Sequence, residues 1–280
     1  MLDSYGAASR RPLGIYNFSG DLGKALLPAI VALLLPLFAW RAVLGLMALL
    51  GILCAAALVQ LVPGRQGGVT RPAVQARDAA RGRGGFRVLT AIGALDTATR
   101  TGYLLFLPFL IHARHGGSPT VGIGLALLFI GGAFGKATCG WLGDRLGVVN
   151  SVVTTEMATA LLIAATVFTP LMLTLALLPL LGIVLNGTSS ILYATVPELA
   201  DGDQGRAFAI FYTSVIGAGG VAPILFGALA DHSTQTVGML AAAATAVAIV
   251  PLALALRAWL PGQRARVHCD IPEADPRAPV

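Results

Sequence analysis

Asp96 and Arg100 are the residues of this chain whose types and spacing first suggest chemistry. They stand nine and thirteen residues after Arg87, inside the apolar stretch 88–111. A helix rises about 1.5 Å per residue, so both charges lie roughly 13–20 Å along it. A spacing of four places them on one helical face. If the stretch crosses a bilayer, whose core is roughly 30 Å thick, both sit near the middle. A charge at that depth is costly, so each must face a cavity or another helix. In one reading the pair is a switch: ionised Asp96 holds Arg100, and protonation of Asp96, or competition by an anion, frees it. In the other it is a permanent ion pair that only orients the helix.

A second polar group lies in 171–195, where Asn186, Thr188, Ser189, Ser190 and Tyr193 interrupt an apolar run. Asn186, Ser190 and Tyr193 share a face at spacings of four and three. They can hydrogen-bond a small molecule, or they can hold helices together, worth under about 1 kcal/mol each. Tyr103 is a similar candidate. Glu156 sits eight or nine residues into the stretch 148–169. His112 and His115 flank Arg114 without a second ligand, so no metal site is expected. Cys54, Cys139 and Cys269 form no ligand or disulfide spacing and read as free thiols. No Ser-His-Asp set or phosphate loop appears, so neither an enzyme nor a cofactor is expected.

The elements that must hold these residues are apolar helices. Of 280 residues, 56% are apolar and 11% charged, against roughly 25% charged in a soluble domain. The mean hydropathy is +0.80. Eight apolar segments, at about 20–39, 42–62, 88–111, 120–142, 148–169, 171–195, 207–230 and 236–260, each approach the roughly 20 residues that cross a bilayer core. Backbone groups in lipid must be satisfied internally, and barrel-like alternation is absent, so these are helices. The expected class is an all-α membrane protein.

The formal charge of +6 sits in short loops beside apolar runs, which excludes a nucleic-acid reading. Arg10 and Arg11 precede the first segment, and Arg65, Arg71, Arg77, Arg81, Arg83 and Arg87 follow the second. Arg145, Arg206, Arg264, Arg266 and Arg277 fill later loops on the same side, against Arg41 and Arg114 on the other. The positive-inside rule then makes both termini cytoplasmic in a bacterial-type inner membrane. Lys136 is expected to snorkel near the inner face. The glycines at 131, 132 and 135, and at 217, 219 and 220 before Pro223, serve close helix packing or a bend.

An internal repeat is also visible. At a shift of 195, Arg11, Ile15, Tyr16, Ser19 and Pro28 meet Arg206, Ile210, Phe211, Ser214 and Pro223. Either the first two segments correspond to the last two and each pair closes a six-helix unit, or apolar helices with similar flanks have converged on the likeness.

Gly140-Trp141-Leu142-Gly143-Asp144-Arg145-Leu146-Gly147 resembles the cytoplasmic G-x-L-x-D-R-x-G loop of the major facilitator superfamily. Its glycines permit a tight turn, Asp144 can face a helix N-terminus, and Arg145 can bind the inner surface. The sequence departs from the family at Val148-Val149-Asn150, where more basic residues are usual. Phe38-Ala39-Trp40-Arg41 is similar to an outer loop of that family, Pro197-Glu198-Leu199 with Gly205-Arg206-Ala207 to an inner loop, and Gly227-Ala228-Leu229-Ala230-Asp231 to the end of its eleventh helix.

The resemblance implies a secondary transporter of small molecules, in a drug-efflux-like or general bacterial branch, with helices five to twelve present. It implies residues 1–62 as the last two helices of an incomplete N-terminal bundle and 88–260 as a six-helix C-terminal bundle. Outside it, residues 63–87, rich in Gly and Arg with no apolar period, read as a basic cytoplasmic linker, and the Pro-rich polar stretch 261–280 as a disordered tail. The span of Asp96 and Arg100 and that of Asn186, Ser190 and Tyr193 would line a central cavity. Glu156 would lie on an outer helix with a structural partner. The expected partners are a small molecule, protons and the bilayer, with arrival of the missing helices by self-association or from another part. The alternative is a transport-incompetent fragment or a subunit that needs them.

Overall fold

Gly147 and Pro170 separate three of the helices. Gly147 adopts φ 78°, ψ 161°, and its N–H returns to the Gly143 carbonyl at 3.0 Å, ending one helix as the next begins. A side chain rarely tolerates that backbone, so the last glycine of the loop sequence is the residue the turn requires. Pro170, extended at ψ 162°, precedes another helix start, where its missing N–H costs nothing. Thr234 accepts a hydrogen bond from the Val237 N–H at 3.3 Å and caps the last helix.

The computed structural model describes residues 26, 27, 30, 31, 33–61, 79–200 and 204–260. It contains α1 (Trp40–Leu61), α2 (Ala79–Ala113), α3 (Ser118–Leu146), α4 (Val148–Phe168), α5 (Leu171–Leu199), α6 (Gln204–Asp231) and α7 (Gln235–Leu256). Residues 20–25, 28, 29 and 32 of the expected first span, residues 63–78 of the linker and the tail at 261–280 lie outside the described residues.

The linker ends earlier than expected. Residues 79–87, read as linker, are the first turns of α2. Gly84 and Gly85 explain this. A Cβ at Gly84 would meet the Trp259 ring at 2.5 Å, and one at Gly85 would meet Trp259 at 2.7 Å. The two glycines let the end of α7 seat a Trp on the helix, and tertiary packing overrides their poor helix propensity.

Helices α2–α7 form one bundle. α2 packs on α6 and α7, α4 packs on α5 and α7, and α3 packs on α5. The α3–α5 contact is unusually close. A Cβ would lie 2.0 Å from the Pro179 carbonyl oxygen at Gly131 and 2.1 Å from that of Ile183 at Gly135. Close packing therefore explains these glycines, as small residues do in membrane helices. At the loop end, Arg257 donates to the Asn150 Oδ1 at 2.5 Å and ties α7 to α4. That contact occupies the position where the loop departs from the family pattern.

Six of the seven described helices are long and apolar enough to cross a membrane. α2 is not among them, because Asp96, Thr97, Thr99, Arg100 and Thr101 break its apolar run. Its neighbours α5, α6 and α7 cover that stretch with protein, which is how such a segment is tolerated.

Candidate functional site

The bundle has two apolar cores with a polar layer between them. One core gathers Leu89, Ile92, Leu192, Phe211, Ile249 and Leu256. The other gathers Tyr103, Leu107, Leu128, Ile163, Leu181 and Ala242. Along α2 the cores are separated by Asp96 and Thr97, along α4 by Thr155, Glu156 and Thr159, and along α5 by Asn186, Thr188 and Ser189. All of these are buried. Burying so many polar groups is unfavourable unless they are paired.

Most of the threonines pair within their helices. Thr99 donates to the Leu95 carbonyl at 3.0 Å, Thr101 to that of Thr97 at 2.9 Å, and Thr155 to that of Ser151 at 2.8 Å. This back-bonding satisfies a hydroxyl without a second helix. Others cross between helices. Thr99 and Thr245 are 2.7 Å apart, joining α2 to α7, and Thr188 donates to Thr155 at 2.8 Å, joining α5 to α4.

Asp96 is 2% exposed and Glu156 1%. The two side chains interact across α2 and α4, and Glu156 also interacts with Thr188. Arg100 acts electrostatically on both carboxyls and donates to the Thr97 Oγ1 at 3.0 Å. Tyr193 feels the charges of both Arg100 and Asp96. Its half-buried ring meets Phe211 edge-on, with centroids 5.3 Å apart, and Tyr212 at 6.2 Å. The structure thus brings together Asp96, Arg100 and Tyr193, and adds Glu156. A carboxyl pair beside a guanidinium can hold and exchange protons, and the aromatic wall next to it can receive an organic group.

The other candidates sit elsewhere. Asn186 donates to the Gly182 carbonyl at 3.3 Å and packs on Gly132, while Ser190 donates to the Gly187 carbonyl at 2.6 Å. Both belong to the α3–α5 contact. Tyr103 is fully buried and donates to the Thr166 Oγ1 at 3.2 Å. Arg114 donates to the Thr166 and Val167 carbonyls at 2.9 and 2.7 Å and to the Thr174 hydroxyl. It thereby caps the open carbonyls at the end of α4. Tyr103 therefore belongs to a brace at the Arg114 end of the bundle. At the opposite end Gly143, Arg145 and Gly147 lie at the α3–α4 turn, with Gly140 and Asp144 in the helical run before it and Arg145 exposed.

A family model described as Major Facilitator Superfamily matches residues 89–279, more than half of the chain. The chain belongs to the Major Facilitator Superfamily. No curated protein matches it significantly. As a major facilitator it is a multi-pass, all-α membrane transporter of small molecules. The match begins seven residues before Asp96 and takes in α3–α7 whole.

Glu156 is the member of this major facilitator's polar layer that sequence reasoning placed with a structural partner only. The signal was there: a lone carboxylate inside an apolar span. Spacing on α4 could not show that the group facing it is Asp96.

Proposed function

We propose that this major facilitator is a proton-coupled secondary transporter working by alternating access, with Asp96 and Arg100 as its charge switch. The observation that carries this reading is the polar layer, in which a buried Asp96 and a half-buried Arg100 stand one turn apart on α2 between two apolar cores. Ionised Asp96 balances Arg100. When Asp96 takes a proton, the guanidinium is free for an anionic or zwitterionic substrate, and the two charge states favour different arrangements of the helices. Tyr193 and the exposed Tyr212 supply an apolar wall for the organic part of that substrate, which also suits a lipophilic drug.

The arginine distribution supports cytoplasmic termini in a bacterial-type inner membrane, with the α3–α4 turn inside. The bundle works beside a second helical wall. Only 6% of the α1 apolar window is buried, and among the described residues nothing lies within 4 Å of a Cβ built at Gly217 or Gly220. In this reading α1 and the open face of α6 pack on further helices, from this polypeptide or from another.

The test is proton-gradient-driven flux in proteoliposomes, screened with organic acids and lipophilic drugs. Asp96→Asn abolishes the gradient dependence, whereas full coupling in that variant refutes the switch.

A further inference from the structure

The Arg100 side chain lies back along its own helix. Its Nη2 donates to the Thr97 Oγ1, three residues earlier, at 3.0 Å, so the guanidinium runs toward the start of α2. One turn before Thr97 on that helix is Gly93. A Cβ there would lie 2.7 Å from the Phe211 ring, which fixes where α6 sets its aromatic residues beside α2. Phe211 meets Tyr193 of α5 edge-on with centroids 5.3 Å apart, and Tyr193 meets Tyr212 of α6 at 6.2 Å. A mid-helix cation therefore reaches back toward a corner of aromatic rings about one turn away. We propose that this corner is a subsite for aromatic monocarboxylates. Arg100 takes the carboxylate, Tyr193 and Tyr212 take the ring, and Thr97 is the positioning residue that aims the guanidinium. This rests on the reading of Arg100 as the substrate's anchor, and narrows it to one class of substrate.

The carboxylate half follows from what holds Arg100. A guanidinium is a planar fork of N–H donors with no acceptor. Among the described residues Thr97 is the one hydrogen-bond acceptor of Arg100. A single bond to one Nη orients the plane and leaves donors for a second partner, and a carboxylate matches the fork with two parallel bonds. Thr97 is itself held. It is buried, and its Cγ2 lies 2.9 Å from a Cβ built on Gly219, so packing between α2 and α6 sets its rotamer. One guanidinium balances one negative charge, and a second carboxylate on the ligand would be left buried without a cation.

The ring half follows from α6. Tyr212 and Gly219 are seven residues apart, two turns along one face. Gly219 faces Thr97, so Tyr212 stands on the α2 side of α6, beside Phe211. Phe211 is packed away at 1% exposure, whereas Tyr193 is half-buried and Tyr212 is 55% exposed. The strip of α6 beyond Tyr212 is open too. Ile216 is exposed, and among the described residues nothing lies within 4 Å of a Cβ built at Gly220. Aromatic rings favour edge-on and offset partners. A ligand ring laid against Tyr212 extends the edge-on set that Phe211 and Tyr193 begin, and a saturated ring gains only the buried area.

Three probes separate the two halves: benzoate, cyclohexanecarboxylate, which keeps the charge without the aromatic ring, and benzamide, which keeps the ring without the charge. Binding is measured by titration calorimetry on purified protein at one fixed pH, with no gradient. Benzoate is expected to bind about threefold to tenfold tighter than cyclohexanecarboxylate, the worth of a ring pair. It is expected to bind at least about tenfold tighter than benzamide, the worth of hydrogen bonds to a charged group. Tyr212→Leu removes the first preference and keeps the second. Thr97→Val weakens benzoate by about threefold to tenfold, and Thr97→Ser restores it. Packing alone predicts the opposite order, since valine keeps the threonine shape and serine loses its methyl group.

The wild-type series decides the matter if a variant fails to fold. No binding of benzoate, or equal binding of either other probe, overturns the proposal. So does a folded Tyr212→Leu protein that keeps the full aromatic preference. If the preferences hold but no flux follows a proton gradient, the subsite stands and the proton-coupled reading falls. If gradient-driven flux of aliphatic acids is found and benzoate neither binds nor competes, the transport reading stands and the aromatic subsite falls.

Discussion

Asp96 on α2 and Glu156 on α4 interact inside the bundle, and Thr188 of α5 interacts with Glu156. Three helices therefore converge on one buried ionisable pair. The apolar cores on either side keep bulk water away from it, so its charge state is strongly felt by its neighbours. That is the physical basis of the proposed switch.

Gly147 and Gly143 should respond differently to the same change. Gly147→Ala forces a side chain onto φ 78°, and is expected to cost about 1–3 kcal/mol of stability. At Gly143 a Cβ would meet Ile191 at 3.6 Å, an ordinary contact, so Gly143→Ala is expected to be tolerated. Thermal unfolding of the two variants in detergent checks this. Equal melting temperatures would show that the turn does not depend on Gly147.

Gly131→Ala and Gly135→Ala place a methyl group against backbone carbonyl oxygens rather than a movable side chain. Each should separate α3 from α5 and destabilise the protein by about 1–3 kcal/mol, the usual range for overpacking. The same assay reads it, with Gly143→Ala as the control, since the Cβ built there makes only an ordinary contact with Ile191.

Tyr103→Phe removes one hydroxyl from the brace with Thr166. The expected loss is about 0.5–1.5 kcal/mol of stability, with substrate affinity unchanged. Direct binding of a transported organic acid separates the two effects. A tenfold weaker affinity with unchanged melting would return Tyr103 to the substrate site.

The bundle was legible in the sequence because its helices carry their own punctuation. The expected segments at 148–169, 171–195 and 236–260 start within a residue of α4, α5 and α7, just after Gly147, Pro170 and Thr234, while α3 and α5 run four residues past the expected ends at 142 and 195. The start of α2 was not legible, since Gly84 and Gly85 in an arginine-rich stretch look like linker until Trp259 is seated on them. Depth was readable too: counting from Arg87 placed Asp96 and Arg100 mid-helix, between what prove to be two cores.

Facing was harder. Spacings of four and three put Asn186, Ser190 and Tyr193 on one side of α5. Periodicity does not say which neighbour covers that side, and α3 takes Asn186 and Ser190 through Gly132 and the Lys136 carbonyl. The partnership of Asp96 with Glu156 joins residues sixty positions apart, and tertiary packing alone creates it.

The most direct test of the proton switch is substrate-induced proton movement in purified protein. The protein is held in weakly buffered detergent and given an organic acid that wild type transports. Wild type should exchange about one proton per chain as the acid binds, and Asp96→Asn should bind the acid without exchanging it. The same proton exchange in Asp96→Asn as in wild type would contradict the account.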